Sequence, residues 1–245
     1  IDCTLEGLPG PPAVRLGLRM VDGLKGASAQ RIVQARGQAP FESAEDLARR
    51  AGLEQHEMKL LAAADALQSL SGHRRQQVWD AAALRSTPVL LREAPVHEEV
   101  LELPAAPEGE EIVWDYASLG LTLRRHPLAL LRPKLAELGW MSSQELWNLP
   151  NGRLVSACGI VTLRQQPETA NGTIFVSLED EDGAVQVIVW KRLRERQRRE
   201  LLHSRLMGVR GVWQREGEVR NLIAGHLEDL TPLLGRLATE SRDFR

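Results

Sequence analysis

The sequence predicts a multi-domain chain of the α+β class: a helical domain, a short helical connector and a five-stranded β-barrel, in that order. Three observations predict it. Apolar residues recur at helical spacing up to about residue 85, a Pro- and Glu-rich stretch follows, and beyond residue 153 the apolar period shortens towards two. A length of 245 residues suits about two domains of ordinary size. With 43% hydrophobic and 26% charged residues, composition argues against wholesale disorder. No apolar run reaches the roughly 20 residues that a spanning helix needs, so no membrane association is expected. Cys3 and Cys158 are the only cysteines, which excludes a disulfide framework and a cysteine-based zinc site and suits a cytoplasmic location. The chain begins at Ile1 without a signal peptide, so it is expected to start inside a longer protein or after a processed tag, with residues 1–12 the end of a preceding domain.

Residues 13–85 form the helical domain. Ile32, Val33, Leu47, Leu53, Leu60, Leu61, Leu67 and Leu70 recur at helical spacing, while Gly23, Gly26, Gly37, Pro40 and Gly52 cut the pattern into short helical hairpins. Residues 86–150 open as a linker, with Pro88, Pro95, Pro104 and Pro107 among many glutamates up to about residue 112. Trp114, Leu119, Leu128, Leu131 and Leu135 then mark a helical connector, and Ser142 or Ser143 caps a last helix through Leu149. Residues 151–232 hold five strand candidates: 154–163, 173–178, 185–190, 206–213 and 219–227. A helix over 191–202 separates the third from the fourth, and five strands with a helix in that place is the order of an OB-fold barrel. Residues 233–245 are a tail.

The chain carries 31 basic and 33 acidic residues, a net of −2, which by itself speaks against a protein that coats nucleic acid. That value is an average over unlike parts. Residues 1–85 carry +1, residues 86–150 carry −5 and residues 151–245 carry +2, so the acidic excess lies in the linker and connector. Within the helical domain, the run from Val21 to Gly26 followed by Ala27 to Val33 resembles the hairpin of a helix-hairpin-helix DNA-binding motif. Gly23 and Gly26 permit a tight turn, Leu24 anchors it inward, and the amides of the next helix N-terminus, including that of Ser28, face a phosphate. Lys25 and Arg31 add positive charge. Such contacts hold duplex backbone without reading bases. The bland reading is a helix-to-helix turn that needs glycine only for its dihedrals.

Strand alternation turns Phe175 and Gln186 to the outside of the barrel, one to stack a base and one to bond its edge, as a single-stranded nucleic-acid platform requires. Arg164, at the end of the first strand, is expected to reach phosphate. Lys191 and Arg192, which open the basic stretch 191–200, join this face, while most of that stretch's other arginines read as solvated. The bland reading packs Phe175 under the connector. Trp213 is expected in the core, and Trp190 is ambiguous. Four adjacent acids, Glu179 to Asp182, read as a solvated turn rather than a metal site. Six scattered histidines show no zinc spacing, and there is no Walker loop, GxSxG or GxGxxG, so no catalytic or metal-binding residue is assigned. Gln144 to Leu149 faintly resembles peptides that bind bacterial sliding clamps, hence a weak clamp contact, but an amphipathic capped helix explains it as well.

Taken together, these residues resemble the C-terminal part of bacterial DNA polymerases of the DNA polymerase III alpha type, the C-family, and more closely its error-prone branch known as ImuC. Arg15 to Leu24, Phe41 to Leu47 with Arg50, Asp115-Tyr116, Gly120 to Leu123 and His126 to Arg132 carry the likeness. So do Thr173, Phe175 to Asp180, Gly183, Val189-Trp190, Gln214 to Gly217 and Ser241 to Arg245 on and beyond the barrel. The resemblance implies damage-induced translesion synthesis, duplex and single-stranded DNA as ligands, and accessory mutagenesis proteins of the same cassette as partners. It implies Mg2+ in a catalytic palm upstream of this chain, and no cofactor within it. Two departures stand out: Asp65 replaces a usual glycine in the second hairpin, and Asn221 replaces a frequent histidine. The alternative class is an interaction module that recruits accessory proteins and binds little DNA itself.

Overall fold

A computed structural model describes residues 1–7, 12–84 and 102–237. The chain divides into two compact units, Ile1–Leu123 and Arg124–Arg245. No helix among the described residues is long and apolar enough to cross a membrane.

The first unit opens with a small antiparallel pair, β1 (Thr4–Glu6) and β2 (Ala13–Arg15), in the register Leu5 opposite Val14. Residues 1–7 therefore belong to this unit, not to a preceding domain: Arg19 also donates its amide to Ile1 and its guanidinium to Asp2. Helices α1 (Gly26–Gln38), α2 (Ala44–Ala51), α3 (Gln55–Ala63), α4 (Gln68–Ser71) and α5 (Arg74–Ala83) follow. Ile32, Leu47, Met58, Leu61 and Leu67 form their core, and buried Ala35, Ala51, Ala62 and Ala81 let the helix axes approach closely. Ser43 caps α2 by accepting the Asp46 amide. Arg50 at the other end of α2 donates to the carbonyls of Ala35, Ala39 and Pro40 and stacks over Phe41. The Phe41 to Arg50 segment is thus a clasp that satisfies the end of α1.

Helix α6 (Glu108–Leu119) completes this unit. Its three glutamates, read from composition as linker, sit in the first turn, where carboxylates favour a helix N-terminus. Arg74 of α5 is 3% exposed and pairs with Asp115 and Glu111 of α6, while Thr122 donates to Asp115. Ser118 donates its hydroxyl to Ala63 and accepts the Asp22 amide on its carbonyl, tying α6 to two separate turns. The helical unit consequently extends to Leu123, beyond the boundary expected at residue 85.

The second unit begins with α7 (Pro127–Glu137) and α8 (Ser143–Trp147), both expected as connector. His126 caps α7 by accepting the Leu128 amide; burial holds its imidazole below its ordinary pKa, against the pull of Glu179 and Glu181, and so keeps that acceptor available. The barrel closes in the order β3 (Leu154–Gln165), β4 (Ile174–Glu179), β5 (Ala184–Val189), β7 (Val219–Asp229), β6 (Leu206–Glu216), with β5 and β7 parallel and the other pairs antiparallel. This is the OB arrangement. Val176, Val187, Val189, Val209, Trp213 and Leu222 fill the interior, Trp213 fully buried as expected. The helix between β5 and β6 is broken into α9 (Lys191–Arg196) and α10 (Arg198–His203). The break has a cause: the Gln197 side-chain amide bonds both the N–H and the C=O of Leu227 on β7.

Candidate nucleic-acid interface

In the first hairpin, Gly23 takes φ +75°, a left-handed conformation that glycine adopts without steric cost. Leu24 turns inward against the helical core, and the exposed Lys25 precedes α1 in extended conformation without any side-chain cap. Ser28 and Ala29 donate their amides back to the Lys25 carbonyl, whereas the amides of Gly26 and Ala27 have no acceptor among the described residues. Those two amides and Lys25 form the positive, solvent-facing end of a 13-residue helix.

The structure removes Ser28 and Arg31 from that group. Ser28 is 1% exposed and donates its hydroxyl to Glu57, so neither its amide nor its hydroxyl is free. Arg31 donates to the carbonyls of Ala51 and Gly52 at the C-terminus of α2 and pairs with Glu57 at 3.4 Å. Burial pushes the Glu57 carboxyl upward, but bonds from Ser28 and the Glu54 amide together with the Arg31 charge outweigh it and hold the group below its ordinary pKa.

In the second hairpin a residue other than glycine takes positive φ, at the C-terminal cap of α3, where the Asp65 and Ala66 amides return to the Ala62 and Leu61 carbonyls. Asp65 takes φ +56° where a glycine is usual. Gln77, fully buried on α5, accepts the Leu67 amide and donates to Asp65 and to Gly72. This turn is stitched into its own unit.

On the barrel, β4 and β5 alternate buried and half-exposed residues, and the register aligns the outward ones into two rows. Phe175 lies opposite Ile188, which lies opposite Ile223, which lies opposite Val212. Beside this apolar row, Ser177 lies opposite Gln186, which lies opposite Asn221, which lies opposite Gln214; Ser177 donates to the Gln186 amide oxygen at 3.1 Å. Phe175 and Gln186 therefore do share a face, as alternation required. Lys191 and Arg192 are exposed at the start of α9, while Arg194 and Arg196 of that helix bond the carbonyls of Gly172 and Gly225. Helix α9 thus sets positive charge along the edge that carries the apolar row.

Arg164 does not belong to this face. A register shift between Val161 and Leu163 sets it opposite the inward Val176, where it is 2% exposed and donates to the Leu201 and Ser204 carbonyls at the end of α10. It holds a helix C-terminus rather than phosphate. The acidic stretch is also corrected, in the other direction. Asp180 is 5% exposed and accepts from the Ser143 amide and hydroxyl and from the amides of Asp182 and Gly183, and Arg132 pairs with it and with Glu181. Those carboxylates are committed to closing the β4–β5 turn and do not fit a Mg2+ site. Among the described residues no cluster of three or more His, Cys, Asp or Glu could hold a metal. Leu146 is fully buried in the barrel core with Trp147 and Leu149 packed against it, and Ser142 and Glu145 form a capping box. This leaves a clamp-binding peptide without its apolar residues; the capped helix is what the segment forms.

Sequence reasoning missed Ile188, Ile223 and Asn221 as members of the face. Alternation within each strand was readable, but the parallel pairing of β5 with β7 that brings Asn221 and Ile223 alongside depends on barrel closure.

Comparison with known proteins agrees with both halves. The helix-hairpin-helix motif family matches residues 1–77, and the OB-fold nucleic acid binding domain family matches residues 155–230. Error-prone DNA polymerase from Ralstonia nicotianae is 57% identical over 242 residues. Those from Bordetella parapertussis and an Azoarcus species are 52% and 51% identical over 251 and 249 residues. The chain belongs to the error-prone DNA polymerase family. It covers 98–99% of itself in these alignments but only 22–24% of the length of those polymerases. In this chain, Arg15 to Leu24 lead into the first hairpin, and Phe175 to Asp180 make most of β4 and the start of the turn after it.

Proposed function

We propose that the chain is the DNA-binding C-terminal portion of a cytoplasmic translesion polymerase of the ImuC branch, acting in damage-induced mutagenesis. In this reading the first hairpin grips duplex backbone through Lys25 and the Gly26 and Ala27 amides. The β4–β5–β7 face holds single-stranded template, with accessory mutagenesis proteins as further partners. Metal-dependent nucleotide transfer belongs to carboxylates elsewhere in the polymerase. The observation that carries the reading is the pair of outward rows on the barrel. An apolar row headed by Phe175 offers faces to bases, the amide row offers bonds to their edges, and Lys191 and Arg192 offer charge to phosphates. Neither unit is strongly basic, so a weak, salt-sensitive grip within a larger enzyme follows.

Titration of labelled single-stranded, double-stranded and primer-template DNA at several salt concentrations tests this. Log affinity should fall linearly with log salt, Lys25→Glu should weaken duplex binding, and Phe175→Ala should weaken single-strand binding. A second reading, an interaction module for accessory proteins, is favoured by one observation. Leu154, 82% exposed, lies opposite the exposed Val212 and extends the apolar row away from the cations of α9. Absence of DNA binding by wild type at low salt would decide for that module.

A further inference from the structure

Two tryptophans lie at the barrel strands, and they have opposite fates. Trp213 is fully buried, whereas Trp190 is 53% exposed and belongs to none of the apolar clusters. Trp190 directly follows β5 in an extended conformation, φ −69° and ψ 152°, so the alternation that turns Gln186 and Ile188 outward continues to it. Ile188 is the direct cross-strand partner of Phe175, which places Trp190 one diagonal step from Phe175. Diagonal neighbours across an antiparallel pair stand about 7–8 Å apart, within reach of two large side chains. The half-exposed indole thus continues the outward apolar row one diagonal step beyond Phe175.

The surroundings specify the kind of contact. Lys191 and Arg192 follow Trp190 directly and are exposed. The loop before β4 comes up to this helix at Gly172, where an added Cβ would lie 3.5 Å from Lys191 and 3.6 Å from Arg194. Two aromatic side chains a nucleotide step apart, with cations along one edge, suit stacked bases joined by a charged backbone.

We propose that Trp190 is a second base-stacking residue, so that two neighbouring bases of one DNA strand stack on Phe175 and Trp190 while their phosphates face Lys191 and Arg192. The proposal rests on the reading of the barrel face as a single-strand site, and the test separates the two. Deoxythymidine oligomers are titrated into the full chain as wild type, Trp190→Ala, Trp190→Phe and Phe175→Ala, following oligomer anisotropy and tryptophan emission. Trp190→Ala should weaken binding roughly 5- to 150-fold, with Trp190→Phe restoring most of it. Saturation should quench wild-type emission, and that quenching should vanish in Trp190→Phe although it still binds. Persistent quenching in Trp190→Phe, or unchanged affinity in Trp190→Ala while Phe175→Ala binds weakly, would overturn the role of Trp190 and leave the platform standing. No salt-sensitive binding by wild type would overturn both.

Discussion

The two hairpins of the helical unit each carry one residue of left-handed φ and differ in what meets it. Gly23 and Asp65 both take left-handed φ, +75° and +56°. After Gly23 the chain enters a helix whose first two amides face solvent, with Lys25 beside them. After Asp65 the Leu67 amide is bonded by Gln77, which also holds the Asp65 carboxylate. The left-handed cost to a non-glycine residue, roughly 1–2 kcal/mol, is offset by those bonds. A positive φ therefore does not by itself leave amides open. The difference is that Gln77 satisfies the Leu67 amide, whereas no described group accepts from those of Gly26 and Ala27.

The largest effect should come from the network under the second hairpin. Arg74→Met takes away the guanidinium that pairs with the buried Asp115, 1% exposed, and with Glu111. Loss of one partner of such a pair costs about 3–5 kcal/mol, read as a shift in the urea midpoint of the helical unit. Arg74→Met combined with Asp115→Leu should recover much of the loss. Full recovery would show that apolar packing replaces the ion pair without loss. A loss under about 1 kcal/mol for Arg74→Met would mean the pair is not buried as described.

Next comes the backbone itself. Gly23→Val forces a β-branched residue into left-handed φ, with its Cβ 3.5 Å from Leu60, and should cost at least the roughly 1–2 kcal/mol of that conformation. Asp65→Gly relieves the same strain but gives up the Gln77 bond and the 4.0 Å ion pair with Arg74, so the net change should stay within about 1 kcal/mol. A larger loss for Asp65→Gly than for Gly23→Val reverses the comparison. On DNA the asymmetry should be plainer: Lys25→Glu should weaken duplex binding and lower the salt slope by about one, while Asp65→Asn leaves both unchanged. Equal effects at the two hairpins would mean that both face the duplex.

How much of this was legible follows from which forces are local. The helical hairpins, the five strands with a helix after the third, and the buried Trp213 are written in apolar period and turn residues. The outward pairing of Phe175 with Gln186 needed only alternation. Arg164 misled because one bulge in β3 reverses its side, and a bulge has no signature in a run such as Leu154 to Gln165. Ser28, Arg31 and Asp180 misled because polar residues near turns look uncommitted until the partners that engage them, Glu57, the α2 carbonyls and Ser143, arrive from elsewhere. Glu108 to Glu111 were hidden by composition: the same glutamates that mark a linker also suit the first turn of α6.

The smallest effect tests whether Ser28 and Arg31 serve the first hairpin's shape rather than its ligand. Glu57 binds both, and its carboxyl is held below the ordinary 4.5 in the folded chain. A depressed folded pKa means that the unfolded chain takes up a proton first as acid is added. The stabilisation from Glu57 is therefore complete above the ordinary carboxylate range and is lost as pH falls through the lower, folded value. Denaturant midpoints of wild type should fall with acidification below about pH 5 more steeply than those of Glu57→Gln, which lacks the titrating group. Duplex affinity at neutral pH should change little in Glu57→Gln if Lys25 and the Gly26 and Ala27 amides are the contacts. A marked gain in affinity would instead mean that Arg31, released from Glu57, reaches phosphate, and the first hairpin would then be a wider site than its amides.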